Sequence, residues 1–460
     1  MNALFSFLER VAAGPVPNSL DRSVLDFRNG RFLRVRALME AILVMASIGK
    51  GKTTLVRTIL LGMLQHRFGG LVMVVKKSQI QDFQDLCRQS GRERDCIVIA
   101  PGSGQVFNPL QGETDISEVT DLLVELADIL TPSSGKGGNE SFWREQLVII
   151  LKNLFALCYA VHGRFDLILA ADLFDGRPVS LAEVNDPAWQ QRSVLALAIA
   201  SVRHRMGDTH IRLAVEYFTR TYPTHGDRLQ GSVAAVVSGV FDRLRRPPLA
   251  DLFTGESTFS MVDILNGGKI VVVGMPALDS IDGRIANGLM QFVFCRTAPR
   301  MPRRNNAFLI SDECQETITQ EVMRKVAVLR EYRVATILLT QNLAVLDDRI
   351  GQTAREGLCG LMTTKIFGPQ GHAATRQWAA EQIGKQKTPV ETTTKGRSSG
   401  KHGAGHSTSS SSHEVWDYRV PPSRFAELEV GETICLRDGD AWLARWQKDT
   451  PGKGGTVRVV

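Results

Sequence analysis

Residues 46–54 read Ala46-Ser47-Ile48-Gly49-Lys50-Gly51-Lys52-Thr53-Thr54, between an apolar run at 41–45 and a helix-compatible segment at 55–61. A strand, a glycine-rich turn and a helix in this order wrap backbone N–H groups around phosphates at a helix N-terminus. We expect all nine residues to contact ATP, with Lys52 reaching its β- and γ-phosphates and Thr53 binding Mg²⁺ through its hydroxyl. Ala46 departs from the glycine that is usual at the first position, where only a small residue is needed. The alternative interpretation is a structural glycine turn.

Composition is that of an ordinary globular protein large enough for two or three domains. The 460 residues are 43% hydrophobic and 22% charged, with a formal net charge of +7. This mild basic excess is compatible with a polyanionic partner but does not require one. The seven cysteines are scattered, without a C-x-x-C pair, which predicts reduced thiols in a cytoplasmic protein and no zinc site.

No membrane-spanning helix is expected from the apolar runs. Glu9 interrupts the N-terminal residues before a signal-like core can form. The longest apolar run beyond residues 41–45 covers residues 147–161, with Lys152 and Asn153 in its middle. It is too short and too polar for a bilayer span. The prediction is a cytoplasmic protein, peripheral at the inner membrane only through a partner.

A parallel sheet is indicated by short, continuous apolar runs, which are typical of strands buried on both faces. Helical spacing separates the early runs, so the fold class is α/β with an open, mostly parallel sheet. The runs lie at 71–75, 96–100, 269–274, 307–310, 335–339 and 365–367.

The pattern changes from strand to helix between residues 113 and 245, where apolar residues recur at helical spacing, and it changes back afterwards. We therefore predict an inserted all-α subdomain at 113–245. The remaining predicted boundaries are 1–112 for the first part of the nucleotide-binding domain (with an N-terminal extension at 1–23), 246–384 for its second part, 385–415 for a basic mobile loop, and 416–460 for a β tail on the sheet edge.

The predicted loop is rich in Lys, Gly, Ser and Thr. Residues 385–413 hold five Lys or Arg and three His against one Glu. Such a composition is typical of a mobile surface segment. Two interpretations stay open, a solvated loop and a loop that faces nucleic acid.

Two carboxylates follow the apolar run at 307–310. We expect Asp312 to hold Mg²⁺ and Glu313 to polarise a water against the γ-phosphate. An Asp-Glu pair at this point distinguishes proteins that hydrolyse ATP from those that only bind it. The alternative is a surface Asp-Glu pair after an ordinary core strand.

Two further residues complete the predicted catalytic set. Gln341 ends the run at 335–340, where a side chain can sense the γ-phosphate, unless it is simply a polar residue at a strand end. Arg330 could enter a neighbouring subunit's site as an arginine finger, with Arg333 as a competitor for that role. The finger requires a ring of subunits.

With these residues, the chain resembles the type IV secretion coupling proteins, the ring-forming ATPases of conjugative DNA transfer. The resemblance runs over most of residues 40–446, and the order of its motifs is more specific than any one of them. They are ASIGKGKT at 46–53, VFNPL at 106–110, SFWR at 141–144, Asp312-Glu313, LREY at 329–332, LTQN at 339–342, a Ser-rich segment, VPP at 420–422 and Gly431-Glu432.

The resemblance implies a RecA-like motor domain with an all-α insertion, assembled as a homo-hexamer that moves DNA through its pore using ATP and Mg²⁺. Secretion-system or relaxosome-type proteins are the implied partners. Two departures stand out. Family members usually carry N-terminal transmembrane helices. In many relatives the strand after the glycine-rich loop also ends in an acidic residue, a proline and a lysine, whereas residues 74–77 here have the lysines but no acid.

Three functions follow as alternatives. The first is a DNA translocase or coupling ATPase, whose contacts to phosphates would be independent of sequence. The second is a secretion ATPase that drives protein export or pilus assembly. The third is a recruitment module that uses the nucleotide only as a switch, and Glu313 argues against it.

Overall fold

The computed structural model describes residues 20–27, 30–130, 140–400, 403–446 and 457–459, and the strands and helices given below lie within these ranges. In chain order the strands are β1 Ser23–Asp26, β2 Phe32–Arg34, β3 Ile42–Met45, β4 Gly69–Met73, β5 Cys96–Ile99, β6 Ile270–Val273, β7 Ala307–Ser311, β8 Val334–Thr340, β9 Thr364–Phe367, β10 Lys385–Gly400, β11 Gly403–Tyr418, β12 Glu432–Arg437, β13 Asp440–Arg445 and β14 Arg458–Val459.

The α-helices of the same residues are α1 Val35–Met39, α2 Lys52–Gln65, α3 Lys77–Gln89, α4 Ile116–Leu130, α5 Glu140–His162, α6 Leu167–Asp175, α7 Leu181–Val184, α8 Pro187–Arg192, α9 Val194–Val202, α10 Thr209–Glu216, α11 Asp227–Leu244, α12 Leu249–Phe253, α13 Met261–Leu265, α14 Ile281–Thr297, α15 Gln320–Leu329, α16 Leu343–Ile350, α17 Gln352–Leu361, α18 Ala373–Ile383 and α19 Pro422–Glu427.

Nine strands form the central sheet, in the order β13-β12-β9-β3-β8-β7-β4-β6-β5. The seven strands from β9 to β5 are parallel to one another. β12 and β13 join the β9 edge antiparallel, as expected for a C-terminal hairpin. The predicted α/β class with a mostly parallel sheet is confirmed.

Both faces of this sheet are buried, which explains the continuous apolar runs. Along β3, Ile42 and Val44 pack into one hydrophobic cluster with α2, whereas Leu43 and Met45 pack into a second cluster on the opposite face. Strands covered on both sides lose the alternation of polar and apolar residues. The sequence pattern therefore predicted these strands to within about two residues.

Between β5 and β6, the described residues contain helices and no strand. One of them, α5, includes a stretch, Phe142–His162, long and apolar enough to cross a membrane by length and composition. Ile150, Leu154 and Phe155 of this helix are fully buried against neighbouring helices. The helix thus packs as a core element of the helical region, although it is longer than the run that the sequence indicated.

Residues 385–415 were predicted as a mobile loop, but the described residues of this range, 385–400 and 403–415, belong to β10 and β11. These strands pair antiparallel from Lys385 and Tyr418 to Gly400 and Gly403. The loop prediction is therefore wrong for the backbone. Ser and Thr bury little apolar area, but cross-strand backbone hydrogen bonds do not depend on side chains, and β-branched Thr suits an extended chain.

Candidate nucleotide-binding site

Three adjacent strands bring the predicted site residues to one edge of the sheet. β3, β8 and β7 are neighbours and run parallel. The glycine-rich loop follows β3, Gln341 follows β8, and Asp312 and Glu313 follow β7. Because the carboxyl ends of parallel strands meet at the same edge, the three segments converge there.

Two glycines with left-handed backbones shape the loop before α2. The φ angles of Gly49 and Gly51 are +73° and +91°. Gly51 also approaches the C-terminal tail closely, since a Cβ on it would lie 3.3 Å from the backbone nitrogen of Gly431. α2 begins at Lys52 without a capping side chain, so its first turn can offer N–H groups to an anion.

The alanine at the first position of the loop is accommodated by a glycine on the neighbouring strand end. Ala46 is 2% exposed. A Cβ built on Gly368, just after β9, would lie 2.7 Å from the Ala46 Cβ, closer than two carbon atoms can pack. The extra methyl group at position 46 therefore depends on the missing one at position 368.

Lys52 and Glu313 meet directly, as the motor interpretation requires. The Nζ atom of Lys52 lies 3.2 Å from Glu313 Oε1, and each side chain is 9% exposed. Lys52 also donates a 2.7 Å hydrogen bond to the carbonyl oxygen of Ala46. The ammonium group is thus held at the mouth of the loop, where a phosphate would compete for it.

Glu313 is held in a left-handed backbone conformation, with φ +42° and ψ +57°. This geometry is uncommon for a residue with a side chain. The second oxygen of its carboxylate, Oε2, accepts a 3.1 Å hydrogen bond from Gln315 Nε2. Both carboxylate oxygens therefore have a partner, and the side chain has a defined orientation.

Asp312 is oriented by a glutamine that the sequence analysis did not single out. Gln79, near the start of α3, donates to Asp312 Oδ2. Its Oε1 atom accepts from the backbone N–H groups of Val75 and Lys76, at 2.9 and 3.0 Å. Gln79 is 5% exposed. Its amide therefore fixes the carboxylate of Asp312 relative to the end of β4.

The charges around Asp312 fit a divalent cation. Burial, followed by the neighbouring carboxylate of Glu313, raises the pKa of Asp312 above its usual range, while the hydrogen bond from Gln79 opposes this rise. Lys52 is the nearest counter-charge, and it is already paired with Glu313. A hard oxygen ligand beside an excess of negative charge is what Mg²⁺ prefers. Thr53 is the second residue of α2, and its side chain lies outside the described part of the structure.

A second buried glutamine, Gln370, connects Gln341 to the loop by hydrogen bonds. Gln370, which is 4% exposed, donates from Nε2 to the backbone oxygen of Gln341 at 2.8 Å. Its Oε1 accepts from Ser47 Oγ at 3.3 Å and from His372 N at 3.0 Å. Gln370 thereby joins the loop, the end of β8 and the start of α18.

Arg330 lies at the other end of the parallel strands, just before β8 begins. It begins a short 3-10 turn before β8, is 64% exposed, and is 3.6 Å from Glu40. The seven residues of β8 span about 23 Å, so this guanidinium does not reach the Lys52 site of its own chain. Arg333 lies in the same region, with a left-handed φ of +57°. A role for either in catalysis needs a neighbouring subunit.

The basic runs at 243–246 and 300–304 are candidates for contacts to nucleic acid by their charge, but four of their six arginines are ion-paired within the chain. Each of four arginines has a carboxylate partner, which supports the interpretation as paired surface charge. The pairs are Arg243 with Asp282, Arg245 with Asp175 and Asp242, Arg246 with Asp242, and Arg300 with Glu118.

Comparison with known proteins agrees with this geometry. Residues 306–429, which include Asp312 and Glu313, match the family described as the TraM recognition site of TraD and TraG. A comparison with curated sequences finds no match.

Solved structures share the fold across nearly the whole chain. The unbound bacterial conjugative coupling protein TrwBdeltaN70 is similar at 13% identity and a TM-score of 0.64, covering 97% of this chain and 93% of its own. TrwB in complex with ADP and Mg²⁺ gives 13% identity and 0.62, covering 92% and 88%. VirB4 of Thermoanaerobacter pseudethanolicus gives 12% and 0.51, covering 95% and 98%.

These matches confirm the RecA-like P-loop fold and the predicted resemblance. The chain is therefore similar to the type IV coupling proteins in two respects: it shares the fold of TrwB, and its residues 306–429 match the sequence family of TraD and TraG.

Proposed function

We propose that this protein is an ATP-hydrolysing DNA translocase, the coupling ATPase of a conjugative or type IV secretion system. The observation that carries the proposal is the buried contact of Lys52 with Glu313 across the carboxyl ends of β3 and β7. A phosphate-binding lysine and a candidate base occupy one crevice, and Asp312 lies next to the base. That is the arrangement needed for phosphoryl transfer to water.

ATP is the proposed substrate, and Lys52 changes partners when it binds. The ammonium exchanges Glu313 and the Ala46 carbonyl for the β- and γ-phosphates, which carry more negative charge. Glu313 is then free to accept a hydrogen bond from the attacking water and orient it. Residues 46–54 supply the backbone N–H groups that hold the phosphates.

Mg²⁺ would be held by Thr53 and Asp312, and when bound it neutralises charge on the phosphate oxygens. Gln79 keeps the Asp312 carboxylate pointed at that position. TrwB has been solved with ADP and Mg²⁺ and with a non-hydrolysable ATP analogue, which supports the same ligands here.

DNA is the proposed cargo, and a homo-hexamer is the proposed assembly. Support comes from the conjugative coupling protein that shares the fold and from the net charge of +7. Contacts would be mainly to phosphates, hence sensitive to salt. The match to a TraM recognition site supports a relaxosome-type protein as partner. All seven cysteines are free thiols, in keeping with a cytoplasmic location.

The test is ATP turnover by the purified protein with and without DNA. We expect DNA to stimulate hydrolysis, and Glu313→Gln to lower turnover by at least about 10²-fold while ATP still binds. Glu316→Gln, in the same turn, is the matched control and should retain turnover.

Three outcomes separate the alternatives. Stimulation by DNA supports the translocase. Hydrolysis at the same rate without DNA would favour a secretion ATPase that moves protein, and tight ATP binding without turnover would favour a nucleotide switch.

A further inference from the structure

A chain of three buried side chains links the end of β8 to the candidate base. Gln315 Nε2 donates to Glu313 Oε2 at 3.1 Å, and Gln315 Oε1 accepts from Thr340 Oγ1 at 3.0 Å. Gln315 is 9% exposed, Glu313 7% and Thr340 0%. An alternative acceptor for the hydroxyl of Thr340, the carbonyl oxygen of Asn342, is farther away at 3.5 Å.

The direction of these hydrogen bonds is fixed by chemistry. An ionised carboxylate only accepts, so the amide nitrogen of Gln315 must face Glu313. Its amide oxygen must then face Thr340, whose hydroxyl is left to donate. Rotating the amide by 180° would set its oxygen against the carboxylate of Glu313 and lose that bond, and buried polar groups without partners are costly. Gln315 therefore has one favourable orientation, and this orientation fixes that of Glu313.

This series of hydrogen bonds ends next to the candidate sensor of the γ-phosphate. Thr340 is the last residue of β8 and directly precedes Gln341, the candidate sensor of the γ-phosphate. A displacement of this strand end would move the hydroxyl of Thr340 and, through the hydrogen bonds of Gln315, the carboxylate of Glu313. Lys52 holds the other oxygen of the same carboxylate.

We infer that Gln315 and Thr340 are positioning residues, which hold Glu313 ready for the attacking water and couple its orientation to the strand that precedes Gln341. Gln315 contacts the base and not the nucleotide. The inference rests on the proposed function, since it assigns a role relative to Glu313 as the catalytic base.

The experiment compares kcat and KM for ATP in matched valine variants of one strand. Thr340→Val keeps the shape of the side chain and removes the hydroxyl. Thr336→Val is the control, because Thr336 is also buried in β8, at 1% exposure, and its hydroxyl has no hydrogen-bond partner in the described part of the chain. Thr340→Ser restores the hydroxyl. Melting temperatures identify the range in which every variant is folded.

We expect Thr340→Val to lower kcat about tenfold, the effect of one lost hydrogen bond, with less than about a twofold change in KM. Thr336→Val should match the wild type, and Thr340→Ser should recover most of the loss. Because the two residues act in series, adding Gln315→Leu to Thr340→Val should cost little more than the worse single change.

The inference is overturned if Thr340→Val and Thr336→Val have the same kcat, or if the Thr340→Val and Gln315→Leu losses multiply. Glu313→Gln, measured in the same series, separates this failure from a failure of the proposed function. Wild-type turnover in Glu313→Gln would reject the base itself, whereas an inactive Glu313→Gln beside a fully active Thr340→Val rejects only the positioning role.

Discussion

At the residue scale, Lys52 is the side chain whose removal we expect to change the candidate site most. Its ammonium holds a buried carboxylate at 3.2 Å and a backbone carbonyl at 2.7 Å, so the loop is organised around one positive charge. Removing one partner of a buried ion pair leaves the other uncompensated. The same charge is the proposed contact to the phosphates of ATP.

We predict that Lys52→Ala weakens ATP binding by at least about 100-fold, because each charge-assisted hydrogen bond contributes roughly 1.5–3 kcal/mol. Isothermal titration calorimetry would measure this. Lys152→Ala is the control, since Lys152 is an exposed lysine of α5 outside the loop. An unchanged affinity in Lys52→Ala would refute the assignment of the loop.

A second prediction at this scale concerns the pair of Ala46 and Gly368. Gly368→Ala should destabilise the protein by roughly 1–3 kcal/mol, the usual cost of overpacking, because its Cβ would lie 2.7 Å from that of Ala46. The other neighbours of this Cβ lie at ordinary distances of 3.8 Å or more. The double variant Ala46→Gly with Gly368→Ala should therefore recover most of the loss in chemical denaturation. Failure of this rescue would show that the clash is not the cause.

At the scale of elements, a buried hydrogen bond joins α4 of the helical region to the residue that precedes α15. Thr319, the residue that caps α15, donates to Glu125 Oε1 of α4, and Glu125 Oε2 has no hydrogen-bond partner among the described residues. Burial raises the pKa of Glu125 to about 7 from 4.5, the hydrogen bond from Thr319 opposes this rise, and repulsion from Asp128 adds to it.

This raised pKa predicts how stability changes with pH. Between about pH 4.5 and 7 the folded state keeps the proton of Glu125, while the unfolded state has lost it. The contribution of this proton to the free energy of unfolding is therefore complete below pH 4.5 and is lost as pH rises through 7. In Glu125→Gln, the free energy of unfolding should lose this pH dependence, a difference on the order of 3 kcal/mol. Parallel curves for the wild type and the variant would contradict this account. Glu381→Gln, an exposed acid of α18, is the control.

The elements differ in how far the sequence predicted them. β3, β7 and β8 were predictable because burial on both faces leaves continuous apolar runs. The β10–β11 hairpin was not, because its Ser-, Thr- and Gly-rich composition contains no apolar periodicity, and its strand pairing is a property of the backbone. Composition alone therefore misassigned this segment.

At the scale of the whole molecule, the candidate site also contains some residues that the sequence indicated and others that it did not. Lys52, Asp312 and Glu313 could be selected as candidates from the sequence because each lies in a local motif at a strand end. Gln79, Gln315 and Gln370 could not, since their roles come from contacts with residues elsewhere along the chain. The sole local signal was the position of Gln315, two residues after Glu313.

A ring would give Arg330 a role that the single chain cannot. We predict that Arg330→Ala retains ATP binding and loses turnover by about 10³-fold, as expected for an arginine finger. The control is Glu40→Gln, which removes the partner of Arg330 within the chain and should leave turnover intact. Equal losses in both variants would instead indicate a structural ion pair.

Mixing inactive subunits tests the same point independently. An interface that combines the intact Lys52 of an Arg330→Ala subunit with the intact Arg330 of a Lys52→Ala subunit contains a complete site. Mixed rings should therefore regain part of the ATP turnover that neither variant has alone. Absence of recovery in rings shown to be mixed would reject a finger donated between subunits.

The most direct measurement is a structure of the protein with Mg²⁺ and a non-hydrolysable ATP analogue. We predict that the triphosphate lies on residues 46–54, that the Nζ atom of Lys52 has moved from Glu313 to the phosphates, and that Gln315 still holds the Glu313 carboxylate. A nucleotide bound elsewhere, or one bound while Lys52 stays paired with Glu313, would contradict it.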